Sequence, residues 1–352
     1  MTIDEAKLNA FLGRTVVDVA AVWSASLMLL GEELGLYRAM AKAGPLTAEE
    51  LAERTETNAR LVREWLANQT AGGIVEHDTE SDRFTLPPEQ AFILTDSASP
   101  ADLVGFIRGG LLASEDRDRL ARAFRGEGEL GWHGHHPEFY GVSDRYFAAG
   151  YRASLVQEWI PALDGVEAKL RRGASVADVG CGYGSSTVVL ANAYPTSRFR
   201  GFDFHEPSIE HARKAAAGAG VADRVSFDVA SATDFPGTGY DLVLYFDALH
   251  DVGDPARALV HTRAALAPDA TVVVVEPIAG EGLEDNLNPV GRLFYAGSTI
   301  LCVPSSLAQE GKVALGNQVP ERAWRELAED AGFTRFRRAA ETPFNRIFEL
   351  RP

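Results

Sequence analysis

Between positions 178 and 184 the chain runs Asp-x-Gly-x-Gly-x-Gly, placing Asp178, Gly180, Gly182 and Gly184 at alternate positions. Residues 176–179 read as a short buried strand, and Ser185, Ser186 and the apolar run after them as a helix. Glycines in such a strand–turn–helix let a ligand approach the backbone, and the helix start points free N–H groups into the turn. A dinucleotide fingerprint would require glycine at 185, where this chain has Ser. Asp203 lies 23 residues after Gly180, at the end of the next apolar run. A carboxylate so placed accepts both hydroxyls of a ribose. Phe204 then offers a ring to pack on adenine. A third group lies at Phe246-Asp247-Ala248-Leu249-His250-Asp251, with Glu276 ending a later apolar run. A histidine titrating near neutrality suits removal of a proton from a hydroxyl.

These residues need a frame that brings strand ends together. Strands are predicted at 175–179, 198–203, 224–229, 241–246 and 271–276, with helices starting near Ser185, Pro207 and Asp254. That alternation predicts a parallel, doubly wound sheet whose ligands sit beyond the carboxyl ends of the strands. After 276 the alternation breaks. A helix over 286–303 is predicted on the carboxyl side of the strands, then a helix over 319–331 and strands 333–338 and 345–351. Only six residues join the last two strands, which demands antiparallel pairing.

The chain ahead of the sheet is different. Residues 5–42 read as helices, apolar on more than one face from Val16 to Leu30. Thr47 with Glu50 makes a capping box. Helices 48–54 and 59–70, a stop at Gly72 and Gly73, and a hairpin over 74–76 and 83–86 make a winged helix. Residues 99–172 read as helical around an irregular loop, 126–142, holding Trp132, His133, His135, His136, Phe139 and Tyr140. The three histidines raise the question of metal. With neither HExxH nor a cysteine cluster present, no metal is expected, and the loop is read as pocket lining. Boundaries are set at 1–98, 99–172 and 173–352.

The 352 residues carry a net charge of −16, which repels nucleic acid and anionic membrane. Residues 1–98 hold 8 Lys/Arg against 16 Asp/Glu, and the hairpin tip 77–82 is acidic where a DNA-binding wing is basic. The N-terminus lacks a basic signal region, and the apolar run 19–30 is too short to span a bilayer. Only Cys181 and Cys302 are present, as expected of a reducing cytoplasm.

The glycine motif, Asp203 and the order of elements resemble the class I S-adenosylmethionine-dependent methyltransferases. The implied fold is α/β: a Rossmann-like methyltransferase sheet, mostly parallel with its last strand antiparallel, behind an all-α, winged-helix N-terminal domain. The segment 245–255 and the tail from Asn288 to Pro304 resemble actinobacterial small-molecule O-methyltransferases, often labelled transcriptional regulators. The resemblance implies S-adenosylmethionine as cofactor and S-adenosylhomocysteine as product. It implies His250 as general base oriented by Glu276, with Asp247 or Asp251 as alternative partners. Ser231 and Ala232 stand where the family often has an acid and a small residue against adenine, and Phe246 lies nearby. Arg152, 28 residues before Gly180, stands where related enzymes hold the methionine carboxylate. Trp132, His136, Tyr140, Asn288, Arg292 and Tyr295 are the substrate-pocket candidates. A homodimer through the N-terminal helix is expected. Three readings stay open: methylation of a hydroxyl on a small aromatic metabolite, a cofactor-sensing regulator, and methylation at nitrogen or carbon.

Overall fold

The computed structural model describes residues 3–96, 99, 100 and 102–352. The chain divides into two units, Met1–Arg108 and Gly109–Pro352.

The first unit opens with α1 (Glu5–Glu33), capped by Asp4, whose side chain accepts from the amides of Ala6 and Lys7. After α2 (Leu36–Ala41), α3 (Ala48–Thr55) and α4 (Ala59–Ala71) form the helix-turn-helix, with the capping box at Thr47 and Glu50 in place. Strands β1 (Glu76–Asp78) and β2 (Arg83–Thr85) pair antiparallel as the wing, and α5 (Pro88–Thr95) follows. Tyr37, Met40, Leu51, Trp65, Leu66 and Phe84 form the core of this unit. One expectation is overturned in α1. The apolar run 19–30, expected to be too short for a bilayer, belongs to one unbroken helix of 29 residues, long and apolar enough by length and composition to cross a membrane.

Helices α6 (Leu103–Ser114), α7 (Arg117–Phe124) and α8 (Pro137–Gly150) come next, and α8 continues as a π-helical stretch, Tyr151–Trp159. Then α9 (Val166–Arg172) leads into the sheet. Its elements are β3 (Ser175–Val179), α10 (Ser185–Ala193), β4 (Arg198–Asp203), α11 (Glu206–Gly218), β5 (Val225–Val229), β6 (Tyr240–Phe246), α12 (Pro255–Ala265) and β7 (Leu266–Pro277). The chain closes with α13 (Pro289–Gly297), a π turn at Ser298–Cys302, α14 (Val303–Leu307), α15 (Glu321–Asp330), β8 (Arg335–Glu341) and β9 (Asn345–Arg351).

The strand order is β5-β4-β3-β6-β7-β9-β8. Strands β3 to β7 pair in parallel, and β9 runs antiparallel to both β7 and β8. The expected sheet, including its one reversed strand, is therefore present. Both faces are buried. Val176, Leu242, Leu244 and Val275 face one core while Ala177, Val243, Tyr245 and Val274 face the other, the period-2 alternation of a sheet covered on each side. Strand order reverses between β3 and β6, which opens a crevice at their carboxyl ends.

The helix expected over 286–303 is broken. Asn288 caps α13 at its start, and the π turn ends it at Ser298. A π turn inserts a residue and rotates the helix beyond it, so α14 presents a different face from the one a single helix would.

Candidate functional site

The turn after β3 carries positive φ at Gly180, Gly182 and Gly184, at 76°, 52° and 82°. Two of these positions also exclude a Cβ. At Gly180 it would lie 2.6 Å from the Ala248 methyl, and at Gly184 2.6 Å from the Phe227 ring. Asp178 is buried beneath the turn and accepts from the hydroxyls of Ser186 at 2.7 Å and Thr187 at 2.6 Å. Burial raises its pKa to about 6, against the pull of those two hydroxyls. It ties β3 to the start of α10 and does not line the crevice.

Asp203 ends β4 as expected and lines the crevice. Its Oδ2 accepts from the Gly182 amide at 2.9 Å and its Oδ1 from the His205 amide at 2.8 Å. Each oxygen keeps a lone pair for a further donor. Burial raises its pKa, and the two amides partly offset this. Phe204 is more than a third exposed and lies on the same wall, with the His133 ring 4.8 Å from its own. Ser231 and Ala232 line this wall too, and the Ser231 hydroxyl is engaged with Thr233. Phe246 ends β6 with its ring 5.3 Å from Tyr151.

His250 sits in a one-turn 3-10 helix just past β6 and is 3% exposed. Its Nδ1–H donates to Glu276 Oε2 at 2.5 Å, and its Nε2 lies 3.3 Å from Asp251 Oδ1. Burial alone would push the imidazole pKa down. The carboxylates of Glu276 and Asp251 outweigh it and raise the pKa well above the ordinary histidine value. Burial raises the pKa of Glu276, with His250 pulling the other way. Asp247 adopts φ 48°, accepts from Asn345 Nδ2 at 2.7 Å, and is pushed up to about 8 by burial and by Glu276. Of the candidate acids, Glu276 is the one that meets His250 Nδ1, while Asp247 accepts from Asn345. His250 does not line the crevice; Asp251 does. Nε2 of His250, an oxygen of Asp251 and Sγ of Cys302 lie within 4.8 Å of one another, a trio of possible metal ligands.

The crevice encloses about 1040 Å³ when its open mouth is included. Trp132 and Tyr140 line it, and the Tyr140 hydroxyl donates to the Trp132 carbonyl at 2.7 Å. The other pocket candidates lie elsewhere. His136 caps α8, and Asn288 caps α13 by accepting from the Gly291 amide at 2.9 Å. Arg292 is exposed, and Tyr295 sits over Asn286. Arg152 is exposed on the π-helical stretch and is also outside the lining. Nor do the three loop histidines converge. His135 is buried against Asp116 at 2.6 Å, His133 packs on Phe204 and His205, and His136 is the cap.

Sequence reasoning missed Ser143, Asp144, Phe147 and Tyr151 on one wall and Ser305 and Gln309 on another. The aromatic spacing 140, 147, 151 is a helical stripe that would have found the first group. Nothing in the sequence marked Gln309. Its Nε2 donates to the Asp251 carbonyl at 2.8 Å, and its Oε1 accepts from the Gly253 amide at 3.1 Å, fixing the loop after His250.

Residues 23–96 match the family of the Rv2258c-like winged HTH domain, and residues 170–313 match a methyltransferase domain family. The chain is a winged HTH domain followed by a methyltransferase domain. The methyltransferase domain holds the glycine turn, Asp203, His250 and Glu276. The chain is 28% identical over 178 residues, 47% of its length, to the probable chloroplastic tocopherol O-methyltransferase of Oryza sativa subsp. japonica. It is 28% identical over 151 residues, 41% of its length, to the ajmaline N-methyltransferase of Rauvolfia serpentina. The chain spans about half the length of these curated relatives, 49% and 50%. The human N-acetylserotonin methyltransferase, solved in complex with S-adenosylmethionine, shares the fold with a TM-score of 0.68 and 16% identity over 99% of this chain and 98% of that one.

Proposed function

We propose that the protein transfers a methyl group from S-adenosylmethionine to a hydroxyl of a small aromatic molecule. The observation that carries this reading is Asp203, held at the carboxyl end of β4 by two backbone amides and lining the same crevice that Asp251 lines. The residues fit the cofactor. The glycine turn accepts close approach, Asp203 takes the ribose hydroxyls, and Phe204, Ser231 and Ala232 wall the adenine. S-adenosylmethionine supplies an electrophilic methyl on a sulfonium. The protein's part is to align the acceptor in line with that carbon, exclude water, and take the hydroxyl proton. His250 receives that proton, with Glu276 fixing its tautomer and Asp251 bridging it to the crevice. The relatives include methylation at both oxygen and nitrogen, so nitrogen is the second reading.

A DNA-binding regulator is the less supported alternative. In the winged HTH domain, Arg60 pairs with Glu64, Arg63 with Asp82 and Arg83 with Glu50. The cations that would meet phosphate are already engaged by acids. The decisive experiment incubates the protein with S-adenosylmethionine carrying a deuterated methyl and a panel of small phenols, read by mass spectrometry. Labelled methyl ethers are expected. An absence of S-adenosylhomocysteine binding in calorimetry would refute the proposal.

A further inference from the structure

The acceptor half of the crevice has a charge signature of its own. Four aspartates, Asp144, Asp203, Asp247 and Asp251, line the crevice, and among the described residues no Lys, Arg or His does. Two of the four have assigned work: Asp144 accepts from the Ser185 hydroxyl at 2.9 Å at the start of α10, and Asp203 faces the ribose position. Asp247 is bound to Asn345, and burial and Glu276 push its carboxyl up to about 8. Asp251 is left, lining the crevice beside Gln309, whose Nε2 donates to the Asp251 carbonyl. The charge of His250 behind it is taken up by Glu276 and by Asp251 itself.

Trp132 and Tyr140 line one side of the crevice and Ser305 and Gln309 another, the Tyr140 ring lying 4.3 Å from that of His205. The two sides are close, since a Cβ on Gly131 would lie 3.0 Å from the Ala308 methyl. Aromatic faces and a carboxylate suit a neutral aromatic or an ammonium, which gains from both the ring quadrupole and the negative charge. An aromatic carboxylate would be desolvated beside Asp251 with no cation to pair it.

The geometry points to an acceptor site selective for charge: it takes neutral or cationic aromatic molecules and turns away aromatic anions, with Asp251 as the discriminating residue. This rests on the methyl-transfer reading for which half of the crevice the acceptor fills. It goes beyond that reading by naming the acceptor's charge class and the residue that sets it.

The test uses three probes of similar shape, 1-naphthol, 1-naphthylmethylammonium and 1-naphthoate, titrated by calorimetry into protein saturated with S-adenosylhomocysteine. The ammonium should bind at least as tightly as the naphthol. The naphthoate should bind about tenfold or more weakly, the size of one like-charge contact a few Å away. Asp251→Asn should close the gap between naphthol and naphthoate while leaving S-adenosylhomocysteine affinity unchanged. Naphthoate binding as tightly as naphthol to the wild-type protein overturns the inference, whatever the variant does. So does an unaltered preference in folded Asp251→Asn, or failure of all three probes to bind. If S-adenosylhomocysteine itself does not bind, the methyl-transfer reading fails, and the order of the three probes on the unliganded protein still decides the charge selectivity.

Discussion

At the scale of single residues, two groups carry the proposed chemistry, and each makes a separate prediction. Asp203→Ala removes the proposed acceptor of two ribose hydroxyls. Hydrogen bonds to a charged group contribute roughly 1.5–3 kcal/mol each, so losing two should lower S-adenosylhomocysteine affinity by about 10²–10⁴-fold in calorimetry. Unchanged affinity would move the ribose elsewhere. His250→Gln keeps size and one hydrogen bond but takes no proton at neutral pH. Turnover should drop by about 10²–10⁴, the usual range for general-base help, with cofactor affinity kept. The raised pKa of His250 fixes the pH dependence. The base form appears only as pH rises through that raised value, so kcat should climb with pH beyond the ordinary histidine range. Stability runs the opposite way. The protonated pair contributes fully below the unfolded histidine value of about 6.5 and is lost as pH rises through the folded one. A wild-type kcat flat above pH 7 would remove His250 from the proton path. Asp203, His250 and Glu276 were legible in the sequence because each ends a strand or follows its end, where topology alone assigns position. Asp251 was legible as a possible partner of His250 but not as a crevice residue, since the sequence does not say which of two adjacent side chains turns toward the crevice.

At the scale of elements, strands were easy to read and the helices after β7 were not. A strand covered on both faces is a short apolar run with sharp ends, and β3, β4 and β6 were found to within a residue. Helix rotation about its own axis is set by packing. That is why Asn288 and Arg292 were expected in the crevice while Ser305 and Gln309 reach it. The π turn at Ser298–Cys302 carries no sequence mark, yet it decides which face of α14 meets the loop after His250. The glycine turn was legible, and its tolerance can be tested. Gly184→Ala adds a methyl against the Phe227 ring on a backbone at φ 82°. Left-handed strain and overpacking together cost roughly 2–5 kcal/mol, so the melting temperature should fall clearly and cofactor binding with it. A variant as stable as wild type would mean that β5 and α11 yield easily around Phe227.

At the scale of the whole molecule the feature without a purpose inside one chain is α1. Its C-terminal part is tied to α4: Trp65 Nε1 donates to the Leu27 carbonyl at 2.8 Å, and Asn68 Nδ2 to Ser24 Oγ at 3.0 Å. Before Ser24, Phe11, Val16, Val17, Val22 and Trp23 are exposed, Trp23 by 76%. Water is a poor partner for so continuous an apolar surface, and a second copy supplies the same surface in return. We therefore expect a homodimer built on α1, with a mass in light scattering twice the 38.0 kDa of the chain. The length and composition of α1 also allow a lipid partner, so the measurement needs a second arm. Trp23→Glu places a charge in the middle of the apolar face and leaves the contacts of Leu27 and Ser24 intact. It should yield a folded monomer at micromolar concentration. Neutral phosphatidylcholine vesicles should not retain the wild-type protein, because the face is already covered in the dimer. A wild-type monomer, or one that partitions onto those vesicles, would give α1 another partner and remove the dimer.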